Sequence, residues 1–182
     1  MAEAPRAERM TKPATGFDPE PWRIELRGFV LRMGAGQEAD DVVQETFLRA
    51  LRSPPSSPPR AWLHRVALNV LRDRFRRRRA VPAEDADDGE DAPGALRSLA
   101  SAAPDPRAAA IARETVATAW RAAARLPDRQ RAALILRIHR HMDYDEIAVA
   151  LECSVAGARQ HFHLAVRAVR DALARSEGEA DG

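Results

Sequence analysis

The sequence predicts an all-α fold, two small helical domains joined by a flexible acidic linker. Three observations predict it. Apolar residues recur at helical spacing in two blocks, one before residue 81 and one after residue 104. No segment alternates apolar and polar residues in the manner of a half-buried strand. Between the blocks, Glu84, Asp85, Asp87, Asp88, Glu90 and Asp91 cluster with Gly89 and Gly94, a composition that cannot bury a core. The 182 residues leave room for one large domain or two small ones.

The elements follow in order. Residues 1–20 are rich in Ala, Pro and charge and read as a tail. The first domain, 21–80, is helical from Trp22 to about Arg79. It is broken at Ser53-Pro54-Pro55-Ser56-Ser57-Pro58-Pro59, because proline lacks the backbone donor and clashes with the preceding turn. The linker spans 81–104 and the second domain 105–176. Asp105-Pro106 predicts an N-cap followed by proline at the first helical position, and that helix runs through Arg125. Leu126-Pro127-Asp128 opens another helix, and residues 177–182 read as a frayed tail.

Asp143-Tyr144-Asp145-Glu146-Ile147-Ala148 leads through Leu151 and Cys153-Ser154 into a second helix reaching about Leu173. Asp143 with Glu146 predicts a capping box, and Ser154 an N-cap. The small Ala148 lets the second helix cross the first closely. This is a helix-turn-helix pattern, whose second helix enters the DNA major groove. Val155, Ala158, Phe162, Ala165, Val166, Val169 and Leu173 share one arc of that helix. Arg159, Gln160, His163, Arg167 and Arg170 project from the adjoining arc. The competing reading is an amphipathic hairpin with a solvated basic face.

Two segments of the first domain carry chemistry. In Asp40-Asp41-Val42-Val43-Gln44-Glu45-Thr46-Phe47-Leu48-Arg49-Ala50-Leu51-Arg52, helical spacing puts Val42, Val43, Phe47, Ala50 and Leu51 on a core side. Asp41, Gln44, Glu45, Leu48 and Arg52 gather opposite, as a docking surface or as a solvated face with one stray leucine. From Ala61-Trp62 to Arg79, Arg65, Asn69, Arg72 and Arg76 share a face at spacings of four, three and four. Such a stripe suits a phosphate backbone with a base nearby. Arginines at a helix C-terminus also simply complement the helix dipole.

Composition narrows the remaining classes. The formal net charge is +2, and Lys12 is the only lysine. Arginine offers the planar donor fork that phosphate and guanine accept. The single cysteine, Cys153, excludes an intrachain disulfide and a CxxC metal site, and its place in the turn suits a small buried residue. His139, His141, His161 and His163 invite a metal reading, but His161 and His163 point roughly 200° apart on a helix and do not share an ion easily. No nucleophile–base pair or glycine-rich phosphate loop is present, so neither an enzyme nor a cofactor is expected. No segment has the apolar length of a membrane span and the N-terminus lacks a signal-peptide core, so a cytoplasmic protein without membrane insertion is expected.

Taken in order before the helix-turn-helix, these two segments resemble the bacterial sigma factors of the extracytoplasmic-function group of the sigma-70 family, over about residues 20–80 and 105–174. Asp40 to Ala50 resembles the polymerase-binding helix of region 2. Trp62-Leu63-His64-Arg65-Val66-Ala67-Leu68-Asn69 with its Arg-rich end resembles the helices that melt and read the minus-ten element. Leu126-Pro127-Asp128-Arg129-Gln130-Arg131, Tyr144 to Ala148 and the last helix resemble region 4, which reads the minus-thirty-five element. The resemblance implies core RNA polymerase as partner, through its β′ clamp helices and β flap, together with promoter DNA and a possible anti-sigma factor. It implies polymerase contacts for Asp41, Gln44, Glu45 and Leu48. It implies minus-ten contacts for Trp62, Arg65, Asn69, Arg72 and Arg76, with Asn69 bordering a pocket for an extruded base. Arg159, Gln160, His163 and Arg167 become minus-thirty-five contacts.

The chain departs from the family pattern in three places. The loop Ser53 to Arg60 carries four prolines where Gly, Ser and Phe-like residues are usual. Glu152 stands where glycine is common, which carries a strain cost if the turn needs a positive φ; the alternative is a shifted turn. Leu164 and His161 replace frequent arginines, so the recognition helix is less basic. Two other functions stay open at this level. One is a stand-alone helix-turn-helix regulator that needs no polymerase. The other is an inactive mimic that binds polymerase without opening DNA.

Overall fold

The computed structural model describes residues 18–53, 59–80 and 106–180. Seven α-helices run through them: α1 (Arg23–Arg32), α2 (Ala39–Arg52), α3 (Pro59–Ala80), α4 (Pro106–Ala124), α5 (Asp128–His139), α6 (Tyr144–Leu151) and α7 (Val155–Ala180). Short 3-10 turns precede α1 and α2, and no strand occurs among the described residues. The fold is all-α, as expected. The linker and the Asp105 cap lie outside the described residues.

In the first unit, α1, α2 and α3 pack around Leu26, Phe29, Val30, Val42, Val43, Phe47, Leu63, Leu68 and Leu71, all buried. α2 buries Val42, Val43, Phe47 and Ala50 of the side that its spacing marks, while Leu51 is only half-buried; it also buries Thr46, whose hydroxyl donates to the Val42 carbonyl at 2.7 Å. Acids in its first turn and arginines in its last complement the helix dipole. The proline loop differs from expectation at its end. Pro59 is the first residue of α3, where a missing N–H costs nothing.

In the second unit, α4, α5 and α7 enclose Ala123, Leu126, Leu134 and Ala165, with Trp120, Phe162, Val166 and Val169 against them. The helix-turn-helix forms as its caps predict. Asp143 accepts from the Glu146 backbone at 2.8 Å, and Glu146 accepts from the Asp143 backbone at 3.1 Å. The Ser154 hydroxyl accepts from the Gly157 N–H at 3.0 Å. Ala148 is buried at the crossing. Glu152 adopts the left-handed conformation, φ 53° and ψ 52°, and the next N–H closes on the Ala148 carbonyl at 3.0 Å. Two expectations are corrected. α7 does not end near Leu173 but continues to Ala180, through residues read as a frayed tail. Cys153 is half-buried rather than buried.

The two units pack against each other. α3 lies along α6, α1 touches α5, and buried residues of both units belong to one contiguous apolar cluster.

Candidate nucleic-acid and polymerase interface

The face of α2 opposite its core side is open. Asp41, Gln44 and Leu48 are exposed, and Leu48 is one of few large apolar side chains so placed. Glu45 is half-buried and bound to Arg49 at 2.8 Å. Asp41 makes a long ion pair with Arg74 of α3 at 3.9 Å and stays exposed. The surface offers an acid, an amide and an apolar contact, with Glu45 partly committed inside the unit.

The α3 stripe is placed differently. Arg65, Asn69 and Arg72 share a face as their spacing requires, but all three are half-buried, as is Trp62. Only Arg76 is exposed. Asn69 accepts from Arg72 at 3.4 Å, and Arg65 approaches Glu152 of the turn at 3.9 Å. Part of the Arg-rich end has structural employment: Arg74 and Arg78 reach Glu38 at the start of α2, and their pairing holds that carboxyl below its usual range. The stripe therefore exists, but it is half-buried, with the turn after α6 near Arg65 and the start of α5 near Arg72.

On α7 the expected polar arc is open. Arg159, Gln160, His163, Leu164 and Arg167 are all exposed, while Ala158 and Ala165 of the apolar arc are buried. Arg159 stacks its guanidinium over the Tyr144 ring at 5.2 Å, which orients it outward from the first turn of the helix. His161 is half-buried, and burial together with Arg129 lowers its pKa.

Sequence reasoning missed a polar cluster where the units meet. His64 of α3 is fully buried, edge-on to Phe29, with Nδ1 at 2.9 Å from the Arg60 carbonyl. Arg60 binds Glu25 of α1 at 2.7 Å and donates to the Arg140 carbonyl of the second unit. Arg131 of α5 donates to the Met33 carbonyl at 3.2 Å, capping α1. His139 stacks on Trp120, with Arg32 over the same tryptophan. Burial is the main cause lowering the His64 and His139 pKa values to about 4. Helical periodicity contains no signal for contacts made 80 residues apart.

No group of His, Cys, Asp or Glu among the described residues has a metal-binding arrangement. No helix among them is long and apolar enough to cross a membrane.

Comparison with known proteins matches residues 16–81 to sigma-70 region 2 and residues 118–169 to sigma-70 region 4. The RNA polymerase sigma-H factor of Pseudomonas aeruginosa is 32% identical over 162 residues, 84% of this chain and 82% of that protein. The ECF RNA polymerase sigma factor EcfG of Rhodopseudomonas palustris is 33% identical over 162 residues, 86% and 82% of the two chains. Among solved structures, the sigma factor RpoE of Bartonella quintana, in complex with the anti-sigma factor NepR, aligns with a TM-score of 0.60. It covers 85% of this chain and 93% of its own at 18% identity, a likeness of fold.

Proposed function

The chain belongs to the extracytoplasmic-function group of the sigma-70 family, and on that premise we propose how its residues divide the work of a sigma factor. Such a factor binds core RNA polymerase and directs it to particular promoters, a task of binding and positioning rather than catalysis. Asp41, Gln44 and Leu48 form the docking face for the polymerase clamp, with Glu45 at its edge. Trp62, Arg65, Asn69, Arg72 and Arg76 read and hold the minus-ten strand. The arginines supply phosphate contacts, and the helix offsets the few kcal/mol needed to extrude a base. Arg159, Gln160, His163 and Arg167 enter the major groove at the minus-thirty-five element, where Arg159 reads guanine for about 1–3 kcal/mol of discrimination. A protein antagonist that masks these faces is a further partner.

The exposure of Asp41, Gln44 and Leu48 within the region 2 match carries this reading. A stand-alone regulator has no use for that face. The test combines the full chain with core polymerase and genomic DNA fragments, then sequences the run-off transcripts. A new set of start sites is expected. Replacing Asp41, Gln44 and Leu48 together by Ala should abolish core binding while the helical circular dichroism stays unchanged. Undiminished core binding by that variant would remove α2 as the docking face.

A further inference from the structure

We propose that Leu164 is a specificity residue: its side chain selects a thymine in the upstream promoter element by covering the C5-methyl group of that base. The proposal rests on assigning minus-thirty-five reading to α7.

Leu164 is 41% exposed and belongs to neither apolar cluster of the described residues. Its surroundings set it apart from a stray surface leucine. Arg159, Gln160, His163 and Arg167 are exposed with it, while Ala158 and Ala165 on the other side of α7 are buried. Leu164 follows Gln160 by one turn, about 40° around the helix and about 6 Å along it. A recognition helix reads base edges with its N-terminal residues, and Leu164 is still within the first three turns of α7. The start of the helix is well held. The Ser154 hydroxyl accepts from the Gly157 N–H at 3.0 Å, and Arg159 lies over the Tyr144 ring at 5.2 Å. The side chains from Arg159 to Leu164 therefore project from a fixed stem.

The chemistry of the groove decides what a leucine can read there. Guanine offers two acceptors, cytosine an amino group and adenine one of each, whereas thymine alone presents a methyl group. Leucine has neither donor nor acceptor. Against guanine, cytosine or adenine it takes water from a polar group and returns no hydrogen bond, which costs free energy. Against thymine, two apolar surfaces leave water together. Selection thus comes from attraction to one base and from rejection of the others. Charge favours DNA over a protein surface as the occupant. Arg159, Arg167 and Arg170 are exposed, and Asp171 is the one carboxylate between Val155 and Leu173. That balance suits the phosphates on either side of the groove.

The test uses the full chain with core polymerase. A promoter found by run-off sequencing is randomised over its upstream element, and start-site yields are compared for the parent and Leu164→Arg. The parent should require thymine at one base pair. Leu164→Arg should change that preference to guanine, which arginine reads through N7 and O6, and should leave the other positions as they were. Uracil in place of the selected thymine removes only the methyl group. It should weaken promoter binding by the parent holoenzyme about fourfold, the scale of one buried methyl group. Leu164→Ala should bind the thymine and uracil templates alike. Because Leu164 lies outside both clusters, both variants should keep the parent's circular dichroism.

An unchanged base preference in Leu164→Arg overturns the proposal, and so does a uracil template that the parent binds as tightly as thymine. In both cases promoter-directed run-off shows that the functional assignment survives. Weaker core binding by Leu164→Arg, with base preference unchanged, also overturns it and places the leucine in a protein interface. Absence of promoter-directed run-off by the parent sinks the function, and this reading with it.

Discussion

His64 gives the sharpest physical prediction. Its ring is fully buried, Nδ1–H donates to the Arg60 carbonyl, and Nε2 carries the free lone pair 3.7 Å from Glu25. Burial outweighs the attraction of Glu25, and the Arg140 and Arg60 charges add to it, so the pKa falls to about 4. An unfolded histidine titrates near 6.5. Between those values the unfolded chain binds the proton and the folded chain does not. Stability from this group is therefore complete above pH 6.5 and is lost as pH falls toward 4. At pH 5 the loss is about 2 kcal/mol, on the scale of 1.36 kcal/mol for each unit of pH below 6.5. The perturbation is His64→Leu, which keeps the volume and removes the titration. It costs a hydrogen bond of about 1 kcal/mol at neutral pH. Urea unfolding followed by circular dichroism at pH 7 and pH 5 checks the difference. The parent should lose about 2 kcal/mol more than the variant on acidification. His139 and the carboxylates remote from His64 act equally in both proteins and cancel. Parallel losses in parent and variant would refute a neutral buried imidazole.

Two further predictions concern the helix-turn-helix. Asp143→Ala removes a cap whose reciprocal bonds are both made, and should cost about 1 kcal/mol, read as a lowered urea midpoint with unchanged slope. Glu152→Gly relieves a left-handed residue that costs about 1–2 kcal/mol. Glycine's greater unfolded-state freedom offsets about 0.4–1 kcal/mol, and the half-exposed contact with Arg65 a few tenths more. The net gain is about 0.5 kcal/mol, seen as a melting temperature higher by roughly 1–3 °C. A lower melting temperature would mean that the contact with Arg65 outweighs the backbone strain.

The contrast between α2 and α3 explains what the chain made legible. In α2, spacing assigned Val42, Val43, Phe47 and Ala50 to the core and Asp41, Gln44, Leu48 and Arg52 to solvent, while Leu51 and Glu45, read as core and open, are both half-buried. The helix-turn-helix was equally local, because Asp143, Glu146 and Ser154 cap through bonds three residues long. The turn at Glu152 was less legible, since the sequence left open a positive φ there or a shifted turn, and the chain takes the first, with φ 53°. The α3 stripe shared a face as spacing required, yet its burial did not follow, since periodicity defines a face without naming the element that covers it. Arg65 meets Glu152 and Arg60 meets Arg140 only because the units close, and no local pattern encodes a contact of that range. A signal was present nonetheless. Trp62, Leu63, Val66, Ala67, Leu68, Val70, Leu71 and Phe75 wrap most of the helix circumference, far beyond the arc that one core face needs. An apolar arc that wide is more than one neighbouring face can cover. That width implies a second covering element for α3, and α6 is the one that supplies it.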